Sequence, residues 1–390
     1  MRWSYRHTLL ALCTLAFFVT MAARLAISPV VLNIVEAFDT SNATVGLALS
    51  GMWLAYAFSQ FPSGVLGDRF GERRIILAAI GLTGLGSASL ALSPSLPAFV
   101  LFAVFLGAGA GLHFSVAATL LTKNFENTGT ALGVHNVGAP LAGLLAPIAA
   151  AGVGVRLGWR YAIALGVVVA LPVFVTFAWR VRPTDPERPD QPMGERFELG
   201  PLVELLSRRQ IAFTVGVSVL CAFVWQGTAS FLPSFLVAHH GISQTMAAGL
   251  FSAFFVVNGF TQPILGRLAD RLSRDRVLVF CVLVGVVGYT LLVLGSGSVA
   301  LVVATVLVGT AMSWPAATLP RFMDNLSDSE RGAGFGLVRT IYMVLASAGS
   351  VGVGAGADLF GWGATFGLLA GLLAVVSIVV TVNAMLGYGA

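Results

Sequence analysis

Residues 64–74 (GVLGDRFGERR) recur in degraded form at residues 266–276 (GRLADRLSRDR), 202 positions later and about half the chain away. Each copy lies between two long apolar stretches, so each reads as a short charged loop joining two membrane helices. A chain that carries one membrane unit twice is restricted to folds in which two halves repeat each other. The restriction is severe, because every backbone group inside the bilayer must find its partner within helices.

Composition agrees. The chain is 57% hydrophobic and 10% charged, with a mean hydropathy of +0.89. A soluble domain carries about 25% charged residues, and this one lacks the polar surface to match. Cys13, Cys221 and Cys281 all lie inside apolar stretches, which argues for packing residues rather than a disulfide framework. The five histidines show no metal-ligand spacing, so neither a metal nor another cofactor is expected. The apolar run after Arg2 and Arg6, residues 8–35, exceeds the roughly 7–15 residues of a signal-peptide core and reads as a retained first span.

Stretches long enough to span occur near 8–35, 43–63, 75–93, 97–122, 129–153 and 159–179. They resume near 211–237, 244–265, 277–295, 298–319, 332–357 and 362–386, giving twelve. The expected domains are therefore a six-helix bundle over 1–180, a linker over 181–210 and a second bundle over 211–390. The linker holds Pro183, Pro186, Pro189, Pro192 and Pro201 among mixed charges, with a short helix expected near Leu202–Leu206.

Lysine and arginine orient the chain. With the N-terminus inside, the inner side collects eighteen of the 22: Arg2, Arg6, Arg69, Arg73, Arg74, Lys123, Arg180, Arg182, Arg188, Arg196, Arg208, Arg209, Arg267, Arg271, Arg274, Arg276, Arg321 and Arg331. The outer side has Arg156 and Arg160, and Arg24 and Arg339 lie within spans. The positive-inside rule then places both termini in the cytoplasm of a multi-pass cell-membrane protein. It also removes the nucleic-acid reading of the +5 net charge, because the basic residues are spread over many loops.

The loop signature Gly64, Leu66, Asp68, Arg69, Gly71, Arg73 and Arg74, with its echo at Asp270 and Arg271, resembles that of the major facilitator superfamily. Gly138, Pro140, Gly143 and Pro147 in span five fit it too, as does the Gly158-Trp159-Arg160 entry to span six. The resemblance covers the whole chain. It implies an all-α membrane protein of twelve transmembrane helices in two pseudo-symmetric six-helix bundles, with a midplane site and alternating access. It also implies that Gly64, Asp68, Arg69, Gly71, Arg73, Arg74, Asp270 and Arg271 form a conformational latch. Asp68 is placed to cap a neighbouring helix N-terminus.

Cargo must be read from polar residues inside the spans. Arg24 sits in mid-span, where an arginine costs about 2.5–3.5 kcal/mol on insertion scales and should face a cavity or a partner. Its expected partner is an anionic substrate, guanidinium suiting carboxylate geometry, and the alternative is a structural pair with a carboxylate or helix carbonyls; no Asp or Glu lies in any span core, which favours the substrate. Arg339 lies about 12 Å into span eleven, opposite Asn136 once residues 129–133 are aligned with 332–336. Snorkelling to the inner face is the alternative for Arg339. The half-repeat pairs Arg24 with Gln226, Tyr56 with Asn258 and Gln60 with Gln262, and Trp314 precedes Pro315 in span ten. Candidate substrate-binding residues are thus Arg24, Tyr56, His113, Gln226, Asn258, Trp314 and Arg339. His113 and His135 are candidates for proton coupling, against the commoner case of a buried histidine bonded to backbone. His239 and His240 read as loop residues without a role.

The expected function is a monomeric secondary transporter moving a small, organic anion by proton symport or exchange. The alternatives are a multidrug or metabolite exporter and a non-transporting receptor. Against the exporter, span one carries Arg24 where the family's cationic-drug exporters carry an acid, and Ala103 stands near the place of their span-four arginine. An enzyme is not expected, because no span shows paired carboxylates, HExxH or GxSxG in a suitable context.

Overall fold

The computed structural model describes residues 5–187, 189, 200–327 and 333–386. Arg2, Arg188, Pro192, Arg196, Arg331 and Gly332 lie outside the described residues. The described chain is helical throughout, without a strand.

Apolar runs without interior charge make these helices, and glycine and proline punctuate them. In order they are α1 (Tyr5–Leu25), a 3₁₀ turn at Ser28–Val30, α2 (Val31–Ala37), α3 (Asn42–Phe70), α4 (Glu72–Ala91), α5 (Leu96–Gly111), α6 (His113–Asn124), α7 (Thr128–Asn136), α8 (Gly138–Leu157) and α9 (Trp159–Arg180). The second half comprises α10 (Gly200–Ser207), α11 (Arg209–His240), α12 (Gln244–Arg271), α13 (Arg274–Leu294), α14 (Gly297–Ala311), α15 (Pro315–Asp324), α16 (Ala333–Ala346), α17 (Ala348–Phe360) and α18 (Trp362–Met385). Eleven spans among the described residues are long and apolar enough to cross a membrane, several being two helices joined at a break. α3, at 29 residues, has the length of a twelfth and is more polar.

The breaks follow the repeat. The fourth span breaks at Leu112 between α5 and α6, and the tenth breaks at Met312–Trp314, before Pro315. Leu112 and Trp314 stand 202 positions apart, the offset of the repeated motif. The fifth and eleventh spans break at Val137 and Ser347.

Two corrections concern loops. The segment that reads as a charged loop is helix: α3 continues to Phe70, and only Gly71 separates it from α4. In the second copy α12 likewise runs to Arg271. His239 and His240 are the last residues of α11, and their Nε2 atoms lie 3.1 Å and 2.7 Å from the carbonyls of Val293 and Leu292.

The chain divides into two compact units, Met1–Thr40 with Leu47–Arg196, and Ser41–Gly46 with Phe197–Ala390. The first unit's core joins Leu9, Leu12, Cys13 and Ala16 of α1 to Ile76 and Ile80 of α4, Val116 and Leu120 of α6, and Phe177 of α9. In the second unit Tyr289 of α13 meets Thr228 of α11 through a 2.5 Å hydroxyl contact, and Phe235 stacks on Phe366 at 3.9 Å. There Asp358 of α17 caps the start of α3, accepting from the backbone nitrogens of Asn42 (3.3 Å) and Ala43 (2.7 Å). A carboxylate at a helix N-terminus satisfies free N–H groups and meets the positive end of the dipole.

Candidate functional site

Arg24 occupies the last turn of α1, just before the chain tightens into the 3₁₀ turn at Pro29. Its side chain is 1% exposed. Nε donates to the carbonyl of Thr20 at 2.9 Å, and Nη2 lies 3.1 Å from the sulfur of Met21. The guanidinium carbon stands 3.9 Å from the ring centre of Tyr56 and 4.7 Å from that of Trp53, two residues one turn apart on α3. Aromatic faces attract a cation and contribute about 2 kcal/mol when desolvated, which offsets part of the burial cost. Nη1 has no partner among the described residues, and no carboxylate reaches the group. What remains is a fixed, buried cation with one donor face unused.

Glycines of α5 seat the aromatic floor. A Cβ at Gly107 would stand 2.0 Å from the carbonyl oxygen of Met52, and one at Gly111 would stand 2.4 Å from that of Tyr56. This is close small-residue packing at four-residue spacing, the usual device for bringing membrane helices together. It sets how deeply α3 sits, and with it the distance from Tyr56 to Arg24.

In the second unit, Gln226 of α11 is 2% exposed, with Nε2 3.4 Å from the Met343 carbonyl and Oε1 without a partner among the described residues. Trp314 stands at the tenth-span break, edge-on to Tyr342 at 6.2 Å, with its indole N–H unpartnered among the described residues. Asn258 donates to Ser313 at 3.2 Å, and Thr261 approaches the same hydroxyl at 2.7 Å. Arg339 lies on α16 and is half-buried. Two cavities among the described residues are not lined by Arg24. One, of about 470 Å³, is lined by charged residues near Asp270, and the other, of about 190 Å³, is lined by apolar residues of α1, α8 and α9.

The repeated motif ends differently in its two copies. Gly71 has φ +85°, and a Cβ there would lie 2.3 Å from the carbonyl oxygen of Thr184. Arg73 holds the same strand of linker: its backbone N–H donates to Thr184 Oγ1 at 3.0 Å, and its guanidinium donates to the carbonyls of Val181 (2.8 Å) and Ala178 (2.5 Å). Ser273, at the place of Gly71, instead caps α13 by accepting from Arg276 N–H at 3.1 Å. Gly71, the N-cap of α4, has no side chain to accept from the helix, and Thr184 Oγ1 takes that place at Arg73 N–H. Gly64 and Arg69 lie on α3, and Arg74 is exposed at the start of α4. In the second copy Asp270 pairs with Arg274, Arg274 reaches Asp324 at 3.4 Å, Asp275 pairs with Arg321, and Arg271 is exposed.

The chain matches the sequence pattern of the Major Facilitator Superfamily over residues 13–249 and again over 214–385. The chain belongs to this superfamily. Its similarity to named members is moderate. It is 25% identical to an uncharacterised transporter of this superfamily from Mycobacterium tuberculosis, over 61% of this chain and 50% of that protein. The nitrite extrusion protein of Bacillus subtilis is 24% identical over 70% of this chain and 68% of its own. The hexuronate transporter of the same bacterium is 26% identical over 68% of each chain. The chain thus spans about half of the first of these relatives and about two thirds of the others. Among solved structures, the nucleoside transporter NupG superposes with a TM-score of 0.82 at 14% identity, covering 96% of this chain and 99% of that one. At that identity the likeness concerns the fold.

Within this member of the superfamily, His113 and His135 meet each other. His113 opens α6 after the break at Leu112, and His135 lies one residue from the end of α7. Both are fully buried, their ring centres 5.3 Å apart. Several contacts escaped sequence reasoning. Trp53 is one, although its position three residues before Tyr56 puts both on one helix face. Glu72 and Lys123 are others: buried Glu72 pairs with Lys123, which also reaches Glu187 at 2.7 Å. Glu72 is part of the motif itself, and no local signal names a lysine 51 residues away as its partner.

Proposed function

We propose that this multi-pass membrane protein is a secondary transporter of the cell membrane that moves a small organic anion, with Arg24 as the anion-binding group. The observation that carries the reading is a buried guanidinium held on Tyr56 and Trp53, with Nη1 unpartnered and no carboxylate beside it. A charge in that position is favourable only when something neutralises it, and a bidentate carboxylate fits a guanidinium fork. The named relatives include a nitrite extrusion protein and a hexuronate transporter, both handling anions by their names.

In the second unit, Gln226 Oε1 and the Trp314 N–H, unpartnered among the described residues, suit hydroxyl groups on a small ligand, and Asn258 and half-buried Arg339 add polar groups to that unit. The repeated motif faces the cytoplasm with both termini. Gly71 and Arg73 act as its latch by holding the strand that follows α9.

The test is thermal stabilisation and uptake with purified protein, using glucuronate, nitrite and cationic dyes as probes. Glucuronate or nitrite should stabilise the wild type. Arg24→Ala should remove that shift and reduce uptake at least tenfold, about 1.4 kcal/mol or more of lost binding. Arg24→Lys should also fail, because an ammonium lacks the planar fork. Wild-type uptake by Arg24→Ala, or stabilisation by cationic dyes alone, would overturn the anion reading and favour an exporter.

A further inference from the structure

The four ring nitrogens of His113 and His135 have no hydrogen-bond partner among the described residues, although both rings are 0% exposed. A buried polar atom without a partner is uncommon enough to need an explanation, and four of them on two touching side chains is a concentration of such atoms. The rings stand 5.3 Å apart, centre to centre, and tilt by 49°. Phe17 of α1 stacks on His113 at 5.9 Å and lies tilted against His135 at 5.1 Å, and Phe114 lies 6.0 Å from His135.

Among the described residues, no counter-charge stands beside the two rings. Helices α1, α3, α4, α5 and α8 pack against α6 and α7. From α1, Cys13 approaches both rings through its backbone, while Tyr5, Arg6, His7 and Arg24 stand six or more residues away along the helix. α3 carries Tyr56, whose ring faces Arg24, and Asp68 and Arg69 at its far end. α4 has Glu72, Arg73 and Arg74, all in its first turn, with Glu72 engaged by Lys123 of α6. α5 has no titratable residue, α7 has only His135 itself, and α8 has only Arg156 near its C-terminus. The rings therefore answer chiefly to each other.

We propose that His113 and His135 form a two-imidazole proton site that binds one proton between them. On uptake one ring nitrogen gains an N–H and the pair gains a single positive charge, and release restores two neutral rings. The aromatic faces of Phe17 and Phe114 favour the cation. A second proton is excluded, because two imidazolium ions this close would repel in a dry core. Coupled groups of this kind titrate as a unit. The site adds a proton to the transport reading above, on which its use in transport rests. Helix α1 carries Arg24 and also walls the pair with Phe17, so cargo and proton bear on one helix.

The test follows the imidazole nitrogens of full-length ¹⁵N-histidine-labelled protein in lipid nanodiscs by NMR, between about pH 4.5 and pH 8.5. Signals are assigned with single His→Gln variants. The expected result is one transition, shared by both rings and worth one proton. In His113→Gln the transition of His135 should move by at least about one pH unit, and the converse should hold in His135→Gln. Rings that stay neutral throughout, that take up two protons, or that titrate independently in the wild type would overturn the proposal, even if neither variant folds. No cargo is used, so this failure is separate from failure of the Arg24 reading.

Discussion

At the scale of single residues, the positions that matter are those where a side chain is either forbidden or left incomplete. Gly71 is the first kind. Its positive φ and the carbonyl oxygen of Thr184 leave no room for a Cβ. Gly71→Ala should cost about 1–3 kcal/mol from backbone strain alone, and more from the clash. A lower melting temperature in detergent, together with faster proteolysis between Val181 and Glu187, would show it. An unchanged melting temperature would mean that the linker strand yields at no cost. Arg24 is the second kind, and it was legible from the sequence because a lone arginine in an apolar span must be explained. Its stacking partners were only half legible. Tyr56 emerges from the half-repeat, whereas no pattern in the sequence singles out Trp53. His113 and His135 each stood out, but 21 intervening residues and a helix break hide that they meet.

At the scale of elements, helix breaks and glycine spacing organise the first unit. Gly107 and Gly111 press α5 against the backbone of α3 just where Tyr56 and Trp53 project toward Arg24. Gly107→Ala should push α3 outward, because backbone rather than a flexible side chain blocks the new methyl group. The expected outcome is a destabilised protein with weakened anion-induced stabilisation. Gly152→Ala, where nothing lies within 4 Å, should leave both unchanged. Equal effects of the two substitutions would show that the glycine stripe does not position the site. The sequence marked this region only as a run of small residues. It also presented the repeated motif as a loop, because charge and glycine usually mean a turn. In the structure the charges ride on helix ends, and a single glycine or a capping serine makes the break.

At the scale of the whole molecule, what could be read early was what repetition and hydropathy encode. The spans, the two-fold repeat and the superfamily all follow from patterns distributed over the chain. Long-range pairings were not encoded that way. The ion pairs of Arg321 with Asp275 and of Lys123 with Glu72 and Glu187 join residues about 50 to 60 positions apart. Nothing in local sequence selects those partners. The more degraded second copy, with Ser273 in place of Gly71, carries a set of ion pairs around Arg274 and Arg321.

Lys123 is the chain's single lysine, and it is held between Glu72 and Glu187. Apart from the amino terminus, an acylating reagent therefore has one address on the entire protein, and a free amine appears there only when those contacts let go. The rate of acetylation at Lys123, read by intact mass, becomes a clock for the detachment of the strand after α9 from its bundle. Glu72→Gln should speed that clock about tenfold, the effect of roughly 1.4 kcal/mol of lost attraction. Equal rates in the two proteins would mean that the amine is open to solvent most of the time. The scarcity of lysine thus equips the molecule with a built-in, single-site reporter of its own motion, needing no engineered label.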